Sequence, residues 1–374
     1  MKIDLIITEM NFGGAERALT QLAIGLRDRG DEVRLFSFGT LPTPDSKPEG
    51  NDRLVQRLRE EGIEIGSGGA PTSRGFPYAA MNLRRWLAKR PDALVQTFLW
   101  HANVLGMMNV SKRRPRIAGI RVAEPNTLRL MVERRTLRNV DHVVCVSRAV
   151  QDFAREQLRL PPERTSVIPN AVDVEAFASA LPVDWQTLGW PSDSNVVLFV
   201  GRLHTQKGLE HLQRTVEQFA PENSNRKLVL IGNGPLQDEL TRWAESVRGD
   251  RVRVLTWQSN IASWIAASRV VVLPSRYEGM PNVIMESMAA GKPVVCSRVE
   301  GSQELIGDDP SQGFEFNDDT MLVKSLDRFL SSEQLAKETG LANQARMRSQ
   351  FTIDAMVDAY REVYMRVIEQ ERSS

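Results

Sequence analysis

Short apolar runs recur along the chain, each closed by glycine, proline or a polar stretch. In the first half they are Ile3 to Thr8, Val33 to Phe38, Ala93 to Phe98, Ile117 to Val122 and His142 to Ser147; in the second, Val196 to Val200, Leu228 to Ile231, Val252 to Leu255 and Arg269 to Leu273. Apolarity that is continuous rather than alternating predicts strands covered on both faces, as in a parallel sheet. Between these runs Ala15 to Arg29, Arg53 to Glu61, Tyr78 to Lys89, Arg148 to Leu158 and Val283 to Ala290 read as helices, and another starts near Leu209. Strand, helix, strand repeated in this way predicts doubly wound α/β domains. Leu41 to Asn51, rich in Pro, Asp, Ser and Gly, predicts an exposed loop. The rhythm breaks at Pro169-Asn170-Ala171-Val172-Asp173 and resumes at Val196, so the Pro-, Trp- and Ser-rich stretch up to Asp193 reads as a linker. A chain of 374 residues exceeds one ordinary core, and two domains are expected. Finally, Phe351 to Glu371 carries Ile353, Met356, Val357, Tyr360, Val363, Tyr364 and Val367 at helical spacing. This predicts an amphipathic helix whose apolar side fits either a dimer seam or a neighbouring domain.

The stretch Pro274 to Pro293 concentrates candidate chemistry. It follows the apolar run ending at Leu273, places Glu278 in a loop, and places Glu286 eight residues later on a helix entered through Pro281. Open α/β sheets bind ligands beyond the carboxyl ends of their strands. The backbone N–H groups at the helix start, near Met280, Asn282 and Val283, favour an anion. A ligand with hydroxyls at both ends and phosphate between them suits this spacing. Arg202 and Lys207 follow the tip of Val196 to Val200, where they are either surface charge or phosphate-binding cations. Leu228 to Ile231 ends in Gly232-Asn233-Gly234-Pro235. In the first half, Asn11-Phe12-Gly13-Gly14 feeds a helix start, and its glycines either bring the backbone against a phosphate or sugar or form a plain turn. His101 lies just past Phe98, at another strand tip.

Composition narrows the class. Hydrophobic content of 41% and charged content of 25% are soluble-globular values. The apolar part of MKIDLIITEM is too short for a signal peptide, and no run approaches a membrane span. Cys145 and Cys296 stand far apart inside apolar runs, without metal or redox spacing, and read as buried reduced thiols. A cytoplasmic protein is expected. Net charge is only +1, but residues 1–178 hold 27 Lys/Arg against 21 Asp/Glu, while residues 179–374 hold 21 against 26. Much of the basic excess lies between Lys112 and Arg138, where nine Lys/Arg face only Glu124 and Glu133. That stretch is either a solvated face or a surface for an anionic acceptor or membrane leaflet. No nucleic-acid motif accompanies it.

Five motifs in order carry a resemblance over nearly the whole chain: NFGGAER (Asn11 to Arg17), VIPNAVD (Val167 to Asp173), FVGRLHTQKG (Phe199 to Gly208), LIGNGP (Leu230 to Pro235) and EGMPNVIME (Glu278 to Glu286). The sequence resembles family four of the retaining glycosyltransferases, the last motif matching that family's E-x7-E signature. The resemblance implies the GT-B architecture, two Rossmann-like domains facing across a cleft with the last helix crossing back to the first. Residues 1–175 with 354–374 would form the acceptor-side domain and residues 176–353 the nucleotide-sugar domain. It implies no metal and no cofactor, the nucleoside diphosphate sugar serving as co-substrate. Carried over by position, Arg202 and Lys207 would hold the donor diphosphate and Glu286 the ribose hydroxyls. Glu278, with the backbone from Gly279 through Met280 and Asn282 to Val283, would hold the sugar. Gly13, Gly14 and Gly232 would lie near the donor, His101 near the transferred sugar, and Arg17 and Arg121 near the acceptor. The expected activity is transfer of a hexose or N-acetylhexosamine to a cell-envelope glycan or lipid-linked acceptor, with retention and with peripheral contact at the inner face of the membrane. A nucleotide-sugar-binding protein without transfer activity, or another sugar enzyme of this fold such as an epimerase, stands as the alternative. Two carboxylates also suit a retaining glycosidase, but only with one as nucleophile about 5 Å from an acid; the resemblance gives both to binding.

Overall fold

The computed structural model of the protein describes every residue except Phe12, residues 47–49, residues 124–125 and Ser374, and the backbone alone at 371–373. Phe12 of the glycine loop, residues 47–49 of the expected loop and Glu124 of the basic stretch therefore lie outside the described residues. The chain divides into two compact units, Met1–Ala171 together with Ile353–Ser374, and Val172–Thr352.

The first unit is built on strands β1 (Lys2–Ile7), β2 (Glu32–Gly39), β3 (Glu64–Ala70), β4 (Leu94–Phe98), β5 (Arg116–Ile120), β6 (His142–Cys145) and β7 (Thr165–Val167). They form one sheet in the order β3-β2-β1-β4-β5-β6-β7. Every pairing is parallel. The winding reverses between β1 and β4, so a crevice opens beyond their carboxyl ends. Five of these strands match the apolar runs. β3 does not, because its sequence EIGSGGA offers only Ile65 and Ala70 as apolar side chains among glycines. Its glycines make room for neighbours instead: a Cβ on Gly68 would stand 2.4 Å from that of Ala79, and one on Gly66 2.7 Å from Trp86 Nε1. The helix Phe76–Ala88 thus packs directly on the edge-strand backbone.

Charge is also built into this core. Asp4 on β1 is fully buried. Its carboxylate accepts Arg34 Nε at 3.0 Å and Arg114 Nη2 at 3.0 Å, while Arg34 stacks on Trp86 with 4.0 Å to the ring centre. Burial raises the Asp4 pKa above its ordinary value against the pull of both guanidiniums. Taking either partner away would leave a desolvated charge unopposed.

The long carboxy-terminal helix, Ile353–Ser373, belongs to this first unit, as the resemblance implies. Met356, Val357, Tyr360, Val363, Tyr364 and Val367 join the core beside residues of the helix Gly14–Asp28. Gly25 admits the helix closely, since a Cβ there would fall 2.4 Å from Val357 Cγ2. This contact accounts for the apolar side of the helix without a second copy of the chain.

The second unit has strands β8 (Asn195–Val200), β9 (Arg226–Ile231), β10 (Val252–Leu255), β11 (Val270–Leu273), β12 (Val294–Ser297) and β13 (Gly313–Phe314). They are ordered β10-β9-β8-β11-β12-β13 and are parallel throughout. Here the switch point lies between β8 and β11. The segment read as a linker is corrected: from Val172 onward it is part of this unit, with a helix at Val174–Ala178 and a turn of 3-10 helix at Trp185–Leu188. Its tryptophans explain why. Trp185 packs 5.8 Å from Trp264 and 6.5 Å from Trp190, and Trp190 Nε1 donates to the Asp250 carbonyl at 2.7 Å. Cys145 and Cys296 are buried free thiols, pushed up by burial to about 12.

One buried acid gives a test. Glu16, in the first turn of the helix Gly14–Asp28, is 8% exposed. A carboxylate there gains from its own backbone N–H and from Arg121 and Arg17, yet burial outweighs them and pushes Glu16 up from 4.5 to about 7. The folded state therefore keeps this proton while the unfolded chain releases it. Stability falls as pH rises from about 4.5 to about 7, by up to about 3 kcal/mol, and stays lower above. Glu16→Gln, which mimics the protonated acid, is expected to be more stable than the parent at pH 8 and nearly equal at pH 4.5, measured by denaturant unfolding. A difference independent of pH would refute this.

Candidate functional site

In the second unit, the loop after β8 (Gly201 to Gly208) and the loop after β11 (Pro274 to Pro281) meet at the switch point and are fastened together. Arg276 N donates to the Gln206 carbonyl at 2.8 Å, Gln206 Nε2 to the Tyr277 carbonyl at 3.0 Å, and Arg276 Nε to the Thr205 carbonyl at 3.1 Å. Gly208 is required at the crossing. It has φ +63°, and a Cβ would stand 1.9 Å from the Pro274 carbonyl oxygen. No other residue tolerates both conditions.

This fastening brings two of the expected residues into contact. Lys207 Nζ lies 2.5 Å from Glu278 Oε1, and Ser275 Oγ donates to the same oxygen at 2.6 Å. Both side chains are largely buried, at 16% and 9% exposure. A lysine ammonium has three protons to donate, so the pair fixes its direction without exhausting it. Glu300 Oε2 accepts from the Glu278 backbone N–H at 3.0 Å. Burial raises the Glu300 pKa, the nearby Glu278 charge adds to this, and the N–H it accepts opposes them. Sequence reading did not find Ser275 or Glu300. Ser275 could have been noticed three residues before Glu278, but Glu300 lies beyond β12 and only the fold brings it back.

The remaining second-unit candidates lie on the same scaffold. Arg202 is exposed and makes no ion pair among the described residues. The helix Asn282–Ala289 opens without a side-chain cap, with extended Pro281 just ahead of it rather than in its first turn. Gly279 and Met280 are buried in the preceding loop, Asn282 and Val283 begin the helix half-buried, and Glu286 is 6% exposed one turn in. Gly232 touches the β8 loop, since a Cβ there would fall 1.9 Å from the Gly201 carbonyl oxygen. With Leu203 N donating to the Asn233 carbonyl at 2.9 Å, it ties a third loop to the first. Its contact in this structure is therefore structural.

In the first unit, Gly13 precedes the helix in extended conformation and accepts from Arg17 N at 3.1 Å. The space over its bare α-carbon is taken by the unit's own acid: a Cβ would meet Glu16 Oε2 at 2.3 Å. Gly14 starts the helix. His101 stands past the tip of β4 with its ring 5.2 Å from Phe76 and 4.9 Å from Trp100. Leu99 just before it has φ +73°, uncommon for a branched residue, and Ala102–Gly106 widens into a π turn. Strain and π turns collect at functional sites, and the sequence signals neither. Arg121 donates to Asn170 and to Tyr360 and lies above Phe98. Burial pushes its pKa down, opposed by Tyr360 and Glu16. Its guanidinium is thus engaged within the first unit.

The basic stretch is not one face. Arg114 is buried on Asp4, Arg116 is buried beside Asp141, and Arg129 lies over Trp100 at 5.2 Å. Lys112, Arg113, Arg135 and Arg138 are exposed. Among the described residues no cluster of three or more His, Cys, Asp and Glu side chains could hold a metal ion, and no helix is long and apolar enough to cross a membrane.

Residues 12–176 match the model of Glycosyltransferase Family 4, and residues 184–346 match that of Glycosyl transferases group 1. An Escherichia coli protein named UDP-Gal:alpha-D-GlcNAc-diphosphoundecaprenol alpha-1,3-galactosyltransferase is 27% identical over 60% of this chain. The chain spans 60% of that relative's length. O-antigen chain mannosyltransferase C of Escherichia coli is 24% identical over 96% of both chains. Among solved structures, Anabaena HepE in complex with UDP superposes with a TM-score of 0.81 at 23% identity, covering 98% of this chain and all of that one. Sucrose-phosphate synthase of Thermosynechococcus elongatus gives 0.81 at 22% identity over 99% and 100%. At such identities the structures carry the fold. Each half of the chain thus matches a glycosyltransferase family model, and the architecture is that of the GT-B fold.

Proposed function

We propose that the protein transfers a hexose or N-acetylhexosamine from a nucleoside diphosphate sugar, with the anomeric configuration retained and without a metal. The observation that supports this most is the Lys207–Glu278 pair, held at the switch point of the second sheet by two fastened loops. In this reading Arg202 and the remaining protons of the Lys207 ammonium take the diphosphate, stabilising charge as the nucleotide leaves, where fixed cations in a desolvated site are most effective. The uncapped start of the helix Asn282–Ala289 adds its backbone N–H groups. Glu278, steadied by Ser275 and Glu300, takes sugar hydroxyls, and Glu286 takes the ribose. His101, Gly13 and Gly14 serve the transferred sugar and donor from the first unit, while Arg17 and Arg121 serve the acceptor side. For Arg121 that role competes with its contacts to Asn170 and Tyr360.

We infer a cell-envelope glycan or lipid-linked acceptor from the relatives, whose names place them on a diphosphoundecaprenol carrier, in lipopolysaccharide core biosynthesis and on O-antigen chains. The same inference puts the protein in the cytoplasm, in peripheral contact with the inner face of the membrane. The helix Thr127–Leu137 supports that contact, because Leu128 and Met131 are 66% and 63% exposed, one turn apart, with exposed Arg135 four residues further on. Apolar side chains beside arginines suit an anionic interface.

Two outcomes are expected. Incubation with a panel of nucleotide sugars and acceptor should give a product whose anomeric coupling by NMR matches the donor's. Arg202→Ala and Glu278→Gln should each lower kcat/KM by roughly 10²- to 10³-fold, the melting temperature of Arg202→Ala staying near that of the parent; full activity in either folded variant would remove these roles. Separately, the protein should sediment with phosphatidylglycerol vesicles at low salt and lose this with added salt or with Leu128→Glu and Met131→Glu together. Undiminished sedimentation of that double variant would move the contact elsewhere.

A further inference from the structure

Part of the basic stretch converges on a place the transfer reaction does not use. Lys112, Arg113, Arg116, Arg138, Arg164 and Arg366 line an open pocket of about 940 Å³ in the first unit, with Asp141 and Glu163 as the acids among its walls. Arg116 and His142 are the first residues of β5 and β6, and Arg164 precedes β7. The pocket therefore lies at the amino-terminal edge of the parallel sheet, the opposite end from Gly13, His101 and Arg121.

Three of the six cations are held in place. Arg164 Nη1 donates to the carbonyls of Arg138 and Val140, each at 3.1 Å, which fixes its guanidinium at the wall. The Arg116 backbone N–H donates to the Asp141 carboxylate at 2.7 Å, and its guanidinium stands 3.5 Å from the same carboxylate. Its Nε is nevertheless buried with no hydrogen-bond partner. Arg366 reaches Ser166 Oγ at 3.4 Å, beside His142 Nε2 at 2.8 Å from the same hydroxyl. Burial and Arg366 push His142 down to about 4, so the ring is neutral and neither adds to nor offsets the charge.

Six cations facing two acids repel one another unless an anion enters. Guanidinium forks match tetrahedral phosphate oxygens in pairs. The volume, within the roughly 300–1,000 Å³ of small-molecule pockets, exceeds what one phosphate fills. We propose that this pocket is a second anion site of the protein, binding a ligand with two or more phosphate groups independently of the nucleotide-sugar site in the second unit. The diphosphate is recognised by its charge and shape, whether it is free or carried on a lipid.

The test titrates inorganic pyrophosphate and, in a parallel arm, geranyl diphosphate into the full-length protein by calorimetry. Because phosphate also has a place at Arg202 and Lys207, both arms use the Arg202→Ala, Lys207→Ala protein. Binding that survives in this background, weakens with salt, and drops at least tenfold on adding Arg138→Gln and Arg366→Gln supports the site. Both of these added changes fall on exposed side chains, and an unchanged melting temperature verifies the fold. Equal affinity in the two arms assigns a free phosphate ligand; tighter geranyl diphosphate binding assigns a lipid-borne one. Absence of binding in both arms, or equal affinity with and without the Arg138 and Arg366 changes, overturns the proposal.

Discussion

The second unit is organised by how closely the loops after β8 and β11 approach one another. Two strands that wind in opposite senses from a shared centre leave their carboxyl ends beside each other, and any ligand there must be held by loops that would otherwise be mobile. Backbone-directed hydrogen bonds from Gln206 and Arg276 remove that freedom. Gly208 lets the chains touch with no side chain between them. Only on such a base can a long, flexible lysine and a glutamate keep a 2.5 Å contact, because much of the loss of conformational entropy has already been met by the scaffold. The chemistry of the pair is common; its fixed direction is what sets it apart.

Buried acids meet different surroundings, two of them within the first unit. Asp4 is neutralised in place by two arginines and contributes to a fixed core. Glu16 has cations nearby but not against it, and burial leaves it half-ionised near neutral pH. Glu300 is intermediate, gaining a backbone N–H while feeling the charge of Glu278. In all three acids burial is the largest influence and raises the pKa, and the donors that meet each carboxylate oppose it.

Much of this was readable from the residues. Continuous apolar runs gave most central strands because both of their faces are covered, and the spacing of Val357, Tyr360 and Tyr364 gave the last helix. Glu278 and Lys207 stand out in the sequence because each follows a strand tip. What escaped depends on contacts distant in sequence. β3 has glycines where a strand usually shows apolar side chains, since its neighbours supply the bulk. The supposed linker is ordered by Trp185, Trp190 and Trp264, whose meeting no local pattern announces. Ser275, Glu300 and the strained Leu99 act through partners that only the fold selects. The basic stretch was visible as charge but not as geometry, because β5 carries its members to opposite ends of the sheet.

The route of the polypeptide through the two units has a kinetic meaning. The first sheet is synthesised early, but Val357, Tyr360 and Tyr364, which complete its core, emerge only after the whole second unit has been made. The earlier unit must wait on the ribosome with an apolar groove uncovered beside Gly25, while the later one can condense from contiguous chain. Nascent protein is thus most exposed to misassociation through the part translated first, and that part is the last to close.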